Sequence, residues 1–300
     1  MPITVLAATV GNQRTRRRSA SNKMRSVPLM LEGGWRDLDT KGYLVARSFL
    51  GGAELRLLQE DYATGERPTS FLMGLKPFGP LTRRTLDRAV DSLLTEVRRN
   101  TALSVDVILK GYHFAAPFSQ YGWHQDFDFL VQDLVNYLNL YIPIIKPSVE
   151  KTNLRLLPYD ALKSRSKDAF RQLKSGEGRT LEPNGTTTLV HDIGSGTRFE
   201  LALDIEEIAV TPTLAAGDLL MVRGDIVHRT QDAETPRVST SVRVVDSHSL
   251  LHRDTLRQKV FGSVRRLHPE VQILQQCFEA HECDEIRMSD LIAFIETRVG

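Results

Sequence analysis

The feature that most restricts the fold is a long series of short β-type segments between residues 105 and 245. Runs of apolar and β-branched residues alternate there with turn signals such as Gly194-Ser-Gly196 and Gly217-Asp218. Many short strands in series predict a β-barrel or a β-sandwich. The expected strands are 105–114, 123–129, 136–144, 153–157, 185–191, 199–203, 205–210, 219–222, 226–229 and 238–245.

Residues 136–144 alternate between two faces of an expected strand. We expect the apolar face to lie in the core and the other face to do something polar. The apolar face carries Leu138, Leu140, Ile142 and Ile144, and the other carries Tyr137, Asn139 and Tyr141.

Helical patterns flank the β region. Apolar residues recur at helical spacing over 52–62 and 81–97, and we expect Thr82 to cap the second helix and Asn100 to end it. Residues 161–176 predict an inserted, exposed helix. The C-terminal helices are expected at 255–260, 269–280 and 289–299.

These patterns predict one domain behind a tail. Residues 1–28 are basic, lack a sustained apolar period and are expected to be mobile. The domain would cover 29–300, with a β core at about 105–245, N-terminal helices at 52–98 and C-terminal helices at 254–299.

The composition indicates a globular protein of a reducing compartment. The 300 residues are 41% hydrophobic, with only two cysteines, Cys277 and Cys283, so no disulfide framework is expected. The basic residues of the tail follow its apolar segment, which is the wrong order for a secretory signal. The apolar run at 138–145 is too short to cross a bilayer. We expect a soluble, cytoplasmic protein without a membrane partner.

Three side chains predict a metal site. His124 and Asp126 lie two positions apart, so on an extended backbone both point to the same face. His228 lies in a second apolar segment, far along the chain. Two histidines and one carboxylate on one side of a metal leave positions for oxygen and for a chelating co-substrate, as non-haem Fe(II) oxygenases require. We expect these three residues to be the metal ligands and the catalytic centre.

Further motifs accompany these ligands. His124-Gln-Asp126, His228 and Arg237-Val-Ser239 resemble the Fe(II)/2-oxoglutarate-dependent oxygenases, and within them the phytanoyl-CoA dioxygenase-like group. The resemblance covers about residues 105–245. It implies a mainly β fold with flanking helices, in which a double-stranded β-helix (a jelly-roll, cupin-like barrel) holds the metal at its mouth. The chain departs from the group after Pro158, where Tyr-Asp-Ala replaces the usual Gly-Ser-His.

The resemblance implies Fe(II), O2 and the co-substrate 2-oxoglutarate, which would leave as succinate and CO2 while a small molecule is hydroxylated or otherwise oxidised. Asp126 is intact, which implies oxidation, because the related halogenases replace this carboxylate with a small residue.

The resemblance also implies a set of co-substrate contacts. The planar guanidinium of Arg237 suits the distal carboxylate because it can make two charge-assisted hydrogen bonds at once. Ser239 lies on the same face and is expected to add a hydroxyl donor, and Arg243, also in phase, is the alternative anchor. Asn139 is expected at the C1 carboxylate.

Residues near the motifs in sequence are candidates for the substrate pocket, although aromatic residues on strands usually pack as core. They are Tyr121, Trp123, Phe129, Tyr137, Arg155 and Arg229.

Other functions stay open at this point. An oxygenase acting on a protein or nucleic acid is suggested only by the basic tail and the basic segment 163–179, and nucleic acid is not the expected partner. A non-catalytic cupin-like barrel that binds metal or ligand would have no need for Arg237. His191-Asp192 and the group Cys277, His281 and Cys283 lack the further ligands of a phosphohydrolase or zinc site. No phosphate-binding glycine-rich loop or dinucleotide fingerprint is present.

Overall fold

The computed structural model describes residues 29–65, 75–115, 122–126, 130–131, 136–174, 178–192, 196–232, 234–255 and 269–299. The predicted tail at 1–28 and nearly all of the predicted helix at 255–260 lie outside the described residues.

Strands and helices occur in most of the described ranges. The strands are β1 (Met30–Glu32), β2 (Tyr43–Arg47), β3 (Leu75–Pro77), β4 (Val107–Ala115), β5 (Trp123–His124), β6 (Tyr137–Ile145), β7 (Leu154–Leu156), β8 (Arg179–Asn184), β9 (Thr187–Asp192), β10 (Arg198–Leu201), β11 (Leu219–Arg223), β12 (His228–Thr230), β13 (Val238–Val245), β14 (Leu250–His252) and β15 (Glu285–Arg287). The helices are α1 (Asp37–Thr40), α2 (Gly52–Thr64), α3 (Pro80–Asn100), α4 (Tyr159–Arg165), α5 (Lys167–Lys174), α6 (Pro269–Ala280), α7 (Met288–Val299) and a 3-10 turn, Ile205–Glu207.

Two antiparallel sheets contain most of the strands. The larger has the order β1-β2-β11-β6-β13-β4-β3, and the smaller has the order β10-β9-β8-β5-β12-β7. From β4 onward the chain repeatedly crosses between them: β4, β6, β11 and β13 lie in the larger sheet, and β5, β7 and β12 in the smaller. Such crossing between two antiparallel sheets is a jelly-roll-like arrangement. Closure into a double-stranded β-helix barrel stays a prediction.

Side chains from both sheets pack together between them. Val45, Tyr141 and Leu220 of the larger sheet share one buried cluster with Leu154 and Leu156 of the smaller sheet. The inner faces of the two sheets therefore meet, and residues that alternate along a strand point either into this space or away from it.

The predicted alternation of residues 136–144 is confirmed. Leu138, Leu140, Ile142 and Ile144 pack with buried residues of α2 and α3 on the outer face of the larger sheet. Tyr141 lies in the cluster between the sheets, and Asn139 is buried on the same side of the strand.

The predicted helix at 81–97 is present, but its predicted cap is wrong. The helix begins at Pro80 with Gly79 as the N-cap, and proline suits the first helical position because its missing N–H would have no intrahelical acceptor there. Thr82 lies inside the first turn, where its backbone N–H donates to Asp61 Oδ2 at 3.1 Å. The helix does end at Asn100.

The β region was predicted to start too late, to include a strand at 205–210 that does not form, and to lack β8, which does form at Arg179–Asn184. Residues 43–47 form β2, which pairs with β11, so the larger sheet begins well before residue 105. Residues 205–207 form a 3-10 turn instead of a strand, with Asp204 accepting the backbone N–H of Glu206 at 2.9 Å. The predicted exposed helix at 161–176 is two helices, α4 and α5, and both bury one face against the smaller sheet through Leu162 and Leu173.

Two of the three predicted C-terminal helices, α6 and α7, are present at their predicted positions and pack beside the larger sheet. Buried residues of α6 and α7 share a cluster with Leu109, Tyr137 and Val245 of the larger sheet. None of the helices in the described ranges combines the length and the hydropathy that a membrane-spanning segment needs.

Candidate metal centre

His124, Asp126 and His228 converge at one point between the sheets. His124 on β5 is paired directly with His228 on β12, and Asp126 follows two residues after His124. One ligand atom from each residue lies within 4.8 Å of the others, and His228 Nε2 lies 3.9 Å from Asp126 Oδ1. Among the described residues, this is the one group of three or more His, Cys, Asp or Glu side chains close enough to hold a metal ion.

Each histidine is oriented by a carbonyl two residues earlier. His124 Nδ1 lies 2.7 Å from Gly122 O, and His228 Nδ1 lies 3.2 Å from Ile226 O. A carbonyl can only accept, so these contacts place the ring proton on Nδ1. The lone pair is then on Nε2, which is how histidine is usually prepared for a metal.

The protonation states also suit a metal. Burial, together with the nearby His228, lowers the pKa of His124 to about 4, so its ring is neutral at neutral pH. Burial alone would raise the pKa of Asp126, but its interactions with neighbouring groups, above all the positive charge of Arg243, outweigh burial and hold the pKa below its usual range. A neutral imidazole and an ionised carboxylate are the ligand forms that bind metals.

Arg243 holds the carboxylate of Asp126. Its Nη1 donates to Asp126 Oδ2, its Nη2 donates to the Tyr112 hydroxyl at 3.0 Å, and its guanidinium lies 5.6 Å from the ring centre of Tyr137. One carboxylate oxygen of Asp126 is therefore engaged, and Oδ1 is the oxygen that faces His228. The expectation that Arg243 is an alternative co-substrate anchor is corrected, because its guanidinium is engaged by Asp126 and Tyr112.

Arg237 is buried, and only part of its guanidinium is hydrogen-bonded among the described residues. Only 2% of the residue is exposed, and its Nη1 donates to Asp232 O at 3.2 Å. Its Nε and Nη2 are buried and have no hydrogen-bond partner among the described residues. An unsatisfied buried donor costs about 1–3 kcal/mol, more for a charged group, so these two nitrogens are available to an acceptor on a bound ligand. The plain alternative, an exposed edge residue, does not fit this burial.

Ser239 and Asn139 lie on the inner face with Arg237. Ser239 Oγ donates to the Tyr141 hydroxyl at 2.9 Å, and Ser241 Oγ donates to Asn139 Oδ1 at 2.8 Å. Both residues are buried, and strand β13 pairs with β6 so that Arg243 is opposite Asn139. The contacts agree with a polar inner wall, and the roles of both residues toward a co-substrate stay proposals.

Three of the predicted pocket residues are on the wrong face. Trp123 packs in the outer cluster of the smaller sheet, and its Nε1 donates to Glu206 at 2.7 Å. Arg155 and Arg229 bind the same carboxylate. Neighbours in a strand point to opposite faces, so residues adjacent to inward-pointing His124 and His228 must point outward. Sequence proximity to the motif was the wrong criterion.

Among the other pocket candidates, Tyr137 is buried beside Arg243 at the metal end of the inner face. Tyr121 and Phe129 lie outside the described residues.

Sequence reasoning missed Gln125, which lies between the candidate ligands His124 and Asp126. Its Nε2 donates to Leu173 O at 2.7 Å and to Asp225 O at 2.8 Å, so it connects the His-Gln-Asp segment to α5 and to the loop before His228. Strand alternation was the available signal, because a residue between two inward side chains points away from them.

Comparison with known proteins gives structural neighbours only. No protein-family model matches the chain, and no curated protein does either. The solved structures that it resembles include an α-ketoglutarate-dependent epimerase, SnoN from nogalamycin biosynthesis (16% identity, 71% of this chain and 81% of that chain, TM-score 0.44). HygX from Streptomyces hygroscopicus, with nickel and 2-oxoglutarate bound, matches at 15% identity (69% and 83%, TM-score 0.42). EvdO2 from Micromonospora carbonacea var. aurantiaca, complexed with 2-oxoglutarate, matches at 16% (70% and 89%, TM-score 0.43).

Proposed function

We propose that this chain is a non-haem Fe(II)- and 2-oxoglutarate-dependent dioxygenase that hydroxylates or otherwise oxidises a small molecule and releases succinate and CO2. The observation that carries the proposal is the convergence of His124, Asp126 and His228, whose ligand atoms lie within 4.8 Å of one another. This set of two imidazoles and one carboxylate is the facial arrangement that suits Fe(II) and leaves coordination positions open.

The residues around the triad fit such a metal. The carbonyls of Gly122 and Ile226 hold both rings with Nε2 as the ligand atom, and Arg243 leaves Asp126 one oxygen for the ion. Bound iron would supply oxygen activation coupled to the oxidative decarboxylation of 2-oxoglutarate, which is chemistry that belongs to the cofactor. The protein would contribute ligand orientation, a buried site and the binding of both substrates.

Arg237 is the proposed anchor of the co-substrate. Its Nε and Nη2, which have no hydrogen-bond partner among the described residues, can form a bidentate pair with a carboxylate, and such a pair is stronger in a buried site than in water. Ser239 would add a hydroxyl beside it. Asn139, held through its Oδ1 by Ser241, would direct its amide nitrogen as a donor to the other carboxylate.

The alternatives have weaker support. A barrel that only binds metal would not need buried, unpaired donors on Arg237. A nucleic-acid or acidic-protein substrate would need free positive charge, yet much of the basic segment 163–179 is neutralised by acidic partners. The ion pairs are Arg165–Glu207, Arg171–Asp168, Lys174–Asp225 and Arg179–Asp192.

The motifs of the chain favour the phytanoyl-CoA dioxygenase-like group within the superfamily, and this subgroup is part of the proposal. So is a cytoplasmic location, which is supported by the small number of cysteines and by the lack of a disulfide between Cys277 and Cys283.

The proposal is tested by succinate release. Metal-free protein is reconstituted with Fe(II), supplied with 2-oxoglutarate and O2, and assayed with a library of small molecules. Succinate should form, faster with some library members, and His228→Ala should abolish it. His252→Ala is the matched control because His252 is half exposed on β14, away from the triad. Equal succinate release by the wild type and His228→Ala would contradict the proposal.

A further inference from the structure

One carboxylate on the outer face of the smaller sheet binds three strands at once. Glu206 accepts hydrogen bonds from Trp123 Nε1 at 2.7 Å, from Arg229 Nη2 at 3.2 Å and from Arg155 Nη1. Trp123 lies on β5, Arg229 on β12 and Arg155 on β7. A side chain of the 3-10 turn therefore connects three neighbouring strands of this sheet.

Two of these three residues are direct neighbours of the metal histidines. Trp123 precedes His124, and Arg229 follows His228. Because successive side chains point to opposite faces, the histidines lie on the inner face and their neighbours on the outer face. Glu206 thus contacts the strands of both histidines on the outer face of the sheet, without touching the proposed metal position.

The backbone alone holds these strands weakly together. Among the described residues, strand β5 has two residues and its pairing with β12 consists of the single pair His228 and His124. Few ladder hydrogen bonds therefore fix the spacing of the two histidines, so a side-chain contact across the same strands has a large share in setting it.

The carboxylate of Glu206 balances the positive charges of Arg155 and Arg229. Arg229 is directly opposite Arg155 across β12 and β7, and both guanidiniums lie over the Trp123 ring, at 5.1 Å and 5.9 Å from its centre. Like charges directly opposite each other in a sheet destabilise the pairing. Glu206 offsets this repulsion, and without it the two cations would push their strands apart.

Glu206 is itself held in place. Its backbone N–H donates to Asp204 Oδ1 at 2.9 Å, and its carbonyl accepts from Arg155 Nη2 at 3.1 Å. The turn is therefore fixed at both its main chain and its side chain, so it can hold the three strands at a fixed spacing.

We propose that Glu206 is a positioning residue of the metal centre, which keeps the strands of His124 and His228 at ligand spacing from the opposite face of the sheet. This inference rests on the proposed function for the metal itself. The contacts of Glu206 with the strands do not require a metal, so their effect can be measured in the metal-free protein.

The experiment compares Glu206→Gln with Glu207→Gln in two measurements. Glu207 is the adjacent residue of the same turn, and its ion pair with Arg165 is more than half exposed on both sides. Backbone hydrogen exchange of β5 and β12 is measured in metal-free protein, and Co(II) affinity is measured by visible absorption. Val90→Ala, a buried change in α3 on the outer face of the larger sheet, reports what general loss of stability does to both readouts.

Glu206→Gln should speed exchange in β5 and β12 by about tenfold or more and weaken Co(II) binding by about tenfold, within the range for groups that orient metal ligands from outside the coordination shell. Glu207→Gln should change neither. Glu206→Asp, which keeps the charge on a shorter side chain, should give an intermediate affinity and keeps the test informative if Glu206→Gln does not fold.

Unchanged exchange, or unchanged Co(II) affinity in both Glu206 variants, would overturn the positioning role while leaving the proposed function intact. An equal loss of affinity in Val90→Ala would also overturn it, because general destabilisation would then suffice. Wild-type protein that binds no Co(II) would instead contradict the proposed function, and with it the metal role of Glu206.

Discussion

Arg243 donates to Oδ2 of Asp126, while Oδ1 of the same carboxylate lies 3.9 Å from His228 Nε2. The two oxygens of Asp126 thus have different surroundings: Oδ2 is bound by a buried guanidinium, and Oδ1 faces His228, where the proposed metal would bind. Arg243 is held in turn by the Tyr112 hydroxyl and lies over Tyr137. We expect this contact to keep Asp126 ionised and bound to the metal through one oxygen.

Replacing Arg243 with Gln should therefore destabilise the metal-free protein. The change leaves the buried charge of Asp126 without its partner, which typically costs about 3–5 kcal/mol. Excess Co(II) should restore part of this loss because the metal becomes the new counter-charge. Urea unfolding with and without Co(II) measures both effects. Arg165→Gln, an exposed arginine, is the control, and equal stability of the two variants would contradict the assignment.

Arg237→Gln should separate co-substrate binding from metal binding. We expect the Kd for 2-oxoglutarate to rise by at least about 30-fold, since truncating one partner of a buried charge pair costs about 2–5 kcal/mol. The Co(II) affinity should stay within about threefold of wild type because Arg237 makes no contact with the triad in the described structure. Calorimetric titration with 2-oxoglutarate and with Co(II) measures the two affinities separately. A variant that binds 2-oxoglutarate as well as wild type does would exclude Arg237 as the anchor.

Gln125→Leu should weaken the metal site through the loop before His228. The substitution leaves the carbonyls of Leu173 and Asp225 without their amide donor in a buried position, at a cost of about 1–3 kcal/mol each. We expect a lower unfolding midpoint and a several-fold weaker Co(II) affinity. Gln172→Leu, on an exposed position of α5, should affect neither. If Co(II) binding is unchanged in Gln125→Leu, the loop does not depend on this contact.

Lys146 should give stability a pH dependence at alkaline pH. Burial and the nearby charge of Arg237 lower its pKa from 10.5 to about 8 in the folded protein. Between these two values the unfolded chain binds more protons than the folded protein, so stability from this group increases as the pH rises above about 8. Its penalty is fully present below pH 8.

This dependence can be measured by chemical unfolding at a series of pH values from about 7 to 10. Lys146→Gln should flatten the rise, while Lys151→Gln, at an exposed position nearby, should retain it. A wild-type curve that falls over this range, or a rise that survives in Lys146→Gln, would contradict the lowered pKa.

The sequence was most informative where one periodicity decided the structure. Strict alternation predicted both faces of β6, and the same rule correctly put His124 and Asp126 on one side. The same rule places Trp123 and Arg229 on the face opposite the histidines, because adjacent residues of a strand point to opposite faces. Their proximity to the histidines in sequence therefore does not put them in the same pocket.

Other features needed the tertiary structure. Tyr43–Arg47 is a short apolar run next to helical segments, and such a run does not reveal that it pairs with β11. The 3-10 turn at Ile205–Glu207 has the β-branched start of a strand, so local pattern favoured the wrong element. The pairing of Arg243 with Asp126 joins residues far apart in the chain, and nothing local in either segment indicates it.

The most direct test of the account is the visible charge-transfer band of an Fe(II)–2-oxoglutarate chelate in the absence of oxygen. Adding Fe(II) and 2-oxoglutarate to metal-free protein should produce the band, His228→Ala should lose it, and Arg237→Gln should require a much higher 2-oxoglutarate concentration to reach it. Absence of the band in the wild type, or its survival in His228→Ala, would contradict the claim that His124, Asp126 and His228 form an iron site for this co-substrate.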